Sequence, residues 1–159
     1  MGNRRKSREL ALQALFYIDM SHEDARSALT LFCENFTPSK AALPFFLKLV
    51  LGVVNAKPAI DQVIKQHSSH WKLGRMACAD RNILRIGVFE LFCCRDIPPK
   101  VSINEAIDIG KKFGTEDSGA FINGILDSIH SAIETDGLTI DAGPFPDDLM
   151  QLQGEQHGE

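Results

Sequence analysis

Arg4-Arg5-Lys6-Ser7-Arg8 places four cationic side chains in roughly one helical turn. Basic residues at a helix N-terminus oppose the helix dipole, so a cluster kept there against local preference points to an anionic partner. A solubilising arm accounts for it about equally well. A second group is more specific. Lys111-Lys112-Phe113-Gly114 puts two cations and a ring before a glycine at an expected helix end, and Asp117 and Phe121 follow at the start of the next helix. Rings stack on unpaired bases, cations hold phosphates, and a carboxylate accepts hydrogen bonds from base edges, which together is how single-stranded RNA is read. Ordinary core packing is the commoner role for any one phenylalanine, and Asp117 also suits a helix cap.

Other reactive residue types do not assemble into catalytic patterns. His67-x-x-His70 lacks the glutamate and the spacing of a zinc-protease helix. Gly110-Lys111-Lys112-Phe113-Gly114 has no Walker spacing, and no Gly-x-Ser-x-Gly elbow occurs. Glu116 and Asp117 are adjacent and diverge on a helix. Cys33, Cys78, Cys93 and Cys94 make no C-x-x-C pair and read as free thiols of a reducing cytosol. The expectation is a binding protein rather than an enzyme, with no metal and no cofactor.

Charge is distributed unevenly over the 159 residues, whose net is −4. Residues 134–159 carry seven acidic side chains and no Lys or Arg, leaving 17 basic against 14 acidic in 1–133, a net of +3 there. A mildly basic body with a basic arm and an acidic tail is compatible with an anionic partner, whatever the overall pI suggests. Glu9 and Gln13 interrupt any signal-peptide core, and the apolar run 43–54 is broken by Pro44 and Lys48 and is too short to span a bilayer. A cytoplasmic protein without membrane association is expected.

The elements that must position these residues are helical almost throughout. Apolar spacing predicts helices over about 6–20, from Ser21-x-x-Asp24 to Phe36, over 43–55, and from Lys57-Pro58 onward. A weaker stretch around Gly74 separates these from a strongly apolar helix capped by Asp80. Ile97-Pro98-Pro99 ends that one, Ser102-x-x-Glu105 reads as a capping box for the next, and a last helix runs from Thr115–Ser118 to about Thr135. The fold class is all-α, about seven helices in two packed subdomains, at about 4–70 and 75–135. Residues 137–159, with Gly143-Pro144, Pro146 and strong acidity, read as a disordered tail.

Three blocks give the sequence a family resemblance: residues 4–16, from Arg4-Arg5-Lys6 to Leu15-Phe16; residues 80–91, Asp80-Arg81-Asn82-Ile83-Leu84-Arg85-Ile86-Gly87-Val88-Phe89-Glu90-Leu91; and Pro99-Lys100-Val101-Ser102-Ile103-Asn104-Glu105-Ala106-Ile107 with Lys112-Phe113-Gly114 and Phe121-Ile122-Asn123-Gly124-Ile125-Leu126-Asp127. In that order and spacing the chain resembles the NusB family of bacterial transcription antitermination factors over residues 4–133. The resemblance implies binding to the boxA element of nascent ribosomal RNA transcripts, jointly with the small-subunit ribosomal protein NusE, in an antitermination complex on RNA polymerase. It implies RNA-facing roles for Arg4, Arg5, Lys6, Arg8, Phe16, Asp80, Arg85, Phe113, Gly114, Asp117 and Phe121. From the residues alone Phe16 and Arg85 read as structural, Arg85 being equally suited to a buried carboxylate. The family often has Tyr where Phe16 stands, so the stacking face is kept and a hydroxyl is lost.

Two other roles fit the same fold. NusB-like domains precede the catalytic domain of certain RNA cytosine methyltransferases, but nothing after Thr135 could form that domain. A NusB-like RNA-binding or scaffold module in ribosomal RNA maturation, without boxA preference, is the alternative. An apolar face kept for NusE could also pair two copies as a homodimer in its absence.

Overall fold

A computed structural model describes residues 2–68 and 76–141. Among them are six helices and no strand: α1 (Asn3–Met20), α2 (Ala25–Asn35), α3 (Leu43–His67), α4 (Cys78–Cys93), α5 (Pro99–Phe113) and α6 (Ser118–Asp136). The all-α expectation holds. The boundary expected between two subdomains falls largely on residues outside those described, and the buried side chains of all six helices form one connected cluster.

Helix α4 is the centre. It packs against α1, α3, α5 and α6, and eleven of its residues, Asp80 and Asn82–Leu91, are buried. Close approach requires glycine at the crossings. A Cβ at Gly52 of α3 would run into the Phe89 ring, and one at Gly87 into Leu126 of α6. Helix α3 is long and apolar enough to cross a membrane by length and composition alone; here its stripe from Phe46 to Ile64 fills the core against α1, α4 and α6.

Three local expectations differ from the structure. The helices expected at 43–55 and from Lys57 are one, with Pro58 inside it. Proline there lacks an N–H for the Val54 carbonyl, but it lies on the exposed side, where water can solvate that oxygen. The second helix is capped by Asp24, whose carboxylate accepts from the Ser27 backbone N–H at 3.0 Å, rather than by Ser21. Ser102 and Glu105 form no capping box. Helix α5 starts earlier, at Pro99, since proline suits a first turn, and this buries Ser102 within the helix.

Of the expected tail, only residues 137–141 are described. Gly137 ends α6 in the left-handed region (φ 65°), the Leu138 N–H bonds the Ala132 carbonyl, and Leu138 and Ile140 pack against the core. Residues 142–159 lie outside the described residues.

Candidate nucleic-acid interface

Helix α1 begins at Asn3, so the basic cluster lies wholly on a helix. Periodicity then gives the four cations different fates. Arg4 and Lys6 are exposed, Arg4 reaching Asp96 at 3.5 Å with its guanidinium 5.3 Å from the Phe45 ring centre. Arg5 is held by α5: Nε and Nη2 each donate to Glu105 at 2.9 Å, and Nη2 to Asp108 at 3.0 Å. Those bonds hold the Glu105 carboxyl below its ordinary pKa, outweighing burial, which acts the other way.

Arg8 turns inward. It is 3% exposed, and its Nη2 donates to Glu90 Oε1 at 2.6 Å while Ser102 Oγ donates to the same oxygen at 3.0 Å. Arg85 is likewise buried, forked onto Asp61 at 2.8 and 3.0 Å with a further bond to Asp19 at 3.2 Å. Both were expected to face RNA. Their guanidinium groups are instead committed to carboxylates in the interior, because they lie on the core-facing sides of α1 and α4. For Arg85 this is the structural reading its apolar neighbours allowed.

The pairs Arg5–Glu105 and Glu9–Lys112 (3.0 Å) set α1 and α5 side by side and running the same way. Arg5, Glu9 and Phe16 share one stripe of α1, since seven residues nearly close two turns. That stripe therefore leads from the cations at the start of α1, past Lys112 and Phe113, towards Phe16. Phe16 is 48% and Phe113 38% exposed, and the Lys112 ammonium sits 5.3 Å from the Phe113 ring centre. Two large rings left in solvent, one of them beside Lys112, suit base stacking and phosphate contact.

Next to them the junction of α4 with α6 forms a cleft of about 350 Å³, lined by Met76, Ala77, Asp80, Thr115, Asp117, Ser118 and Phe121. The tight turn into it needs Gly114, where a Cβ would strike Ser118 Oγ and the Gly110 carbonyl oxygen. Ser118 Oγ accepts from the Thr115 N–H at 2.8 Å, so the serine fixes the turn. The Asp117 side chain makes no capping bond and is exposed at the cleft's rim. Asp80 is 8% exposed, and its Oδ1 is a buried acceptor with no hydrogen-bond partner among the described residues.

Thus the structure brings Asp80, Asp117 and Phe121 together with Gly114 behind them, and leaves Arg5 at the far end of the α1 stripe with Arg4 and Lys6 on either flank of it. The partners Glu90, Glu105, Asp108 and Asp19 escaped the sequence reading. Only Glu105 had a visible pattern there, and it suggested a cap.

A helical bundle with an exposed strip of cations, rings and an acceptor-lined cleft has the make-up of a nucleic-acid-binding module. The NusB family model matches residues 5–131, and the chain belongs to that family. It is 58% identical over 130 residues to the transcription antitermination protein NusB of Desulfatibacillum aliphaticivorans, covering 82% of this chain and 91% of that one. Among solved structures it is similar to NusB of T. maritima (36% identity, TM-score 0.72, 80% of this chain and 90% of that one). It is also similar to a structure of the antitermination factors NusB and NusE in complex with double-stranded RNA (29% identity, TM-score 0.73, 82% and 97%).

Proposed function

We propose that the chain is a transcription antitermination factor of the bacterial cytoplasm. It binds boxA-like RNA of nascent ribosomal transcripts together with NusE, and it acts by assembly on RNA polymerase rather than by catalysis. The observation that carries this reading is the strip from Arg4, Arg5 and Lys6 through Phe113 and Phe16 to the Asp80–Asp117–Phe121 cleft. Phosphates are held at the cationic end, and unpaired bases stack on the rings. A base edge that offers amino or imino hydrogens meets the exposed Asp117 carboxylate at the rim of the cleft, which Asp80 and Phe121 line. Arg8 and Arg85 support this surface from inside and contact no RNA. The similarity to a chain solved with NusE and RNA favours the same reading.

The test is fluorescence anisotropy with three RNAs, each with and without NusE: a single-stranded boxA RNA, a scrambled strand and a duplex. BoxA preference that tightens with NusE is expected. Equal affinity for all three, unmoved by NusE, would leave the maturation-module reading in its place.

A further inference from the structure

Lys112 stands in the last turn of α5 beside the exposed Phe113 ring, and its ammonium is already paired. Nζ donates to Glu9 Oε1 at 3.0 Å and to Oε2 at 3.2 Å, so both carboxylate oxygens hold one cation. The partners differ in burial: the Lys112 side chain is 52% exposed and that of Glu9 only 14%. Glu9 reaches Lys112 because it lies on the α1 stripe that faces α5, between Arg5 and Phe16. Arg5, one turn earlier, is occupied by Glu105 and Asp108. Lys112 is therefore held by an acid of another helix at the point where the strip passes from cations to rings. With Nζ 5.3 Å from the Phe113 ring centre, the ion pair and the ring form one unit.

We propose that Glu9 is a specificity-determining residue: by holding Lys112 it disfavours RNA that offers phosphates alone against RNA that offers an unpaired base to Phe113. The inference rests on the function proposed above. A phosphate that takes the Lys112 ammonium must first displace the Glu9 carboxylate, which exchanges one charge-assisted pair for another. The exchange leaves Glu9, largely buried, without its cation and beside a second anion, so it gains little. Once released, Glu9 also draws in a solvent cation, which offsets the counterion that the phosphate gives up. A base stacked on the exposed part of the Phe113 ring needs none of this. It leaves the pair closed, with the ammonium fixed beside the stack, where a cation favours aromatic rings. A duplex keeps its bases paired and has only phosphates to offer at this point. The carboxylate therefore weighs on the duplex and spares the single strand.

The experiment compares the full chain with Glu9→Gln, Lys112→Gln and the double variant, all with NusE present. Anisotropy titrations with the single-stranded boxA RNA and the duplex are run between about 50 and 300 mM salt. Glutamine is isosteric with glutamate, and a part-exposed ion pair contributes little to stability, so the variants keep the fold. Glu9→Gln should tighten duplex binding about two- to fivefold and move boxA affinity by less than about a factor of two. The slope of log affinity against log salt should steepen by about one for the duplex alone. In the Lys112→Gln background, Glu9→Gln should change neither affinity, because its effect passes through Lys112. Equal tightening of both RNAs, or a gain that persists without Lys112, would overturn the inference by reducing Glu9 to one more negative charge. A boxA preference in the unaltered chain that Glu9→Gln leaves untouched would also overturn it, while keeping the function proposed above. Equal binding of every RNA by the unaltered chain would remove that function, and the inference with it.

Discussion

Arg4 and Arg8 are one turn apart and look interchangeable in the sequence, yet one meets solvent and the other is sealed beside Glu90. The difference comes from partners 82 and 92 residues away, which no local pattern discloses. The same reason hid Asp19 and Asp61 as the acceptors for Arg85. What local sequence did carry was residue type at surface turns: Phe113-Gly114 and Asp117 stand where their chemistry suggested. Arg8→Ala should therefore act on stability. It strands a buried carboxylate and should cost about 3–5 kcal/mol in urea unfolding, while Arg8→Met with Glu90→Leu should recover most of that. Lys6→Ala should leave stability within about 0.5 kcal/mol and reduce the slope of log affinity for RNA against log salt by about one. If Arg8→Met with Glu90→Leu keeps the fold but loses RNA affinity, then Arg8 contacts RNA after all.

Helix positions were legible from apolar spacing because most of these helices bury one broad stripe. Boundaries were less so, since a proline or a serine has one meaning locally and another once packing decides. Lys57-Pro58 looked like a break, but the stripe of Val53, Ala56, Ile60, Val63 and Ile64 continues across it and is buried on the far side from the proline. Ser102 and Glu105 have the spacing of a capping box, but a helix begun at Pro99 turns both to long-range partners, Glu90 and Arg5. The cost of the interior proline can be tested. Pro58→Ala restores an N–H for the Val54 carbonyl and removes ring crowding, so it should raise unfolding stability by about 1–3 kcal/mol. No change in the urea midpoint would mean that α3 has already relaxed around the proline.

At the scale of the molecule, α1 is clamped by charge at both ends. Arg5 ties its start to Glu105 and Asp108 of α5, and Asp19 ties its last turn to Lys57 of α3 and to Arg81 and Arg85 of α4. Burial pushes the Asp19 carboxyl up, but the Asn82 amide hydrogen bond and the charges of Arg85, Lys57 and Arg81 together hold it below the ordinary value of 3.8. Glu105 also lies below its ordinary value of 4.5. In acid the unfolded chain thus binds more protons at these two groups than the folded one, so stability from them rises with pH. That contribution is complete above about pH 5–6 and is lost as pH falls through about 4 towards the lower folded values. Urea midpoints measured from pH 7 to pH 2.5 should be flat and then drop, and Asp19→Asn with Glu105→Gln should start lower and drop less. Because both clamps hold the helix that carries Arg4, Lys6 and Phe16, acid should loosen the RNA-facing strip before the α3–α4 core. Hydrogen exchange of α1 amides at pH 4 should therefore quicken ahead of those in α4. Simultaneous loss of protection in both helices would show that the clamps contribute nothing separable from the core.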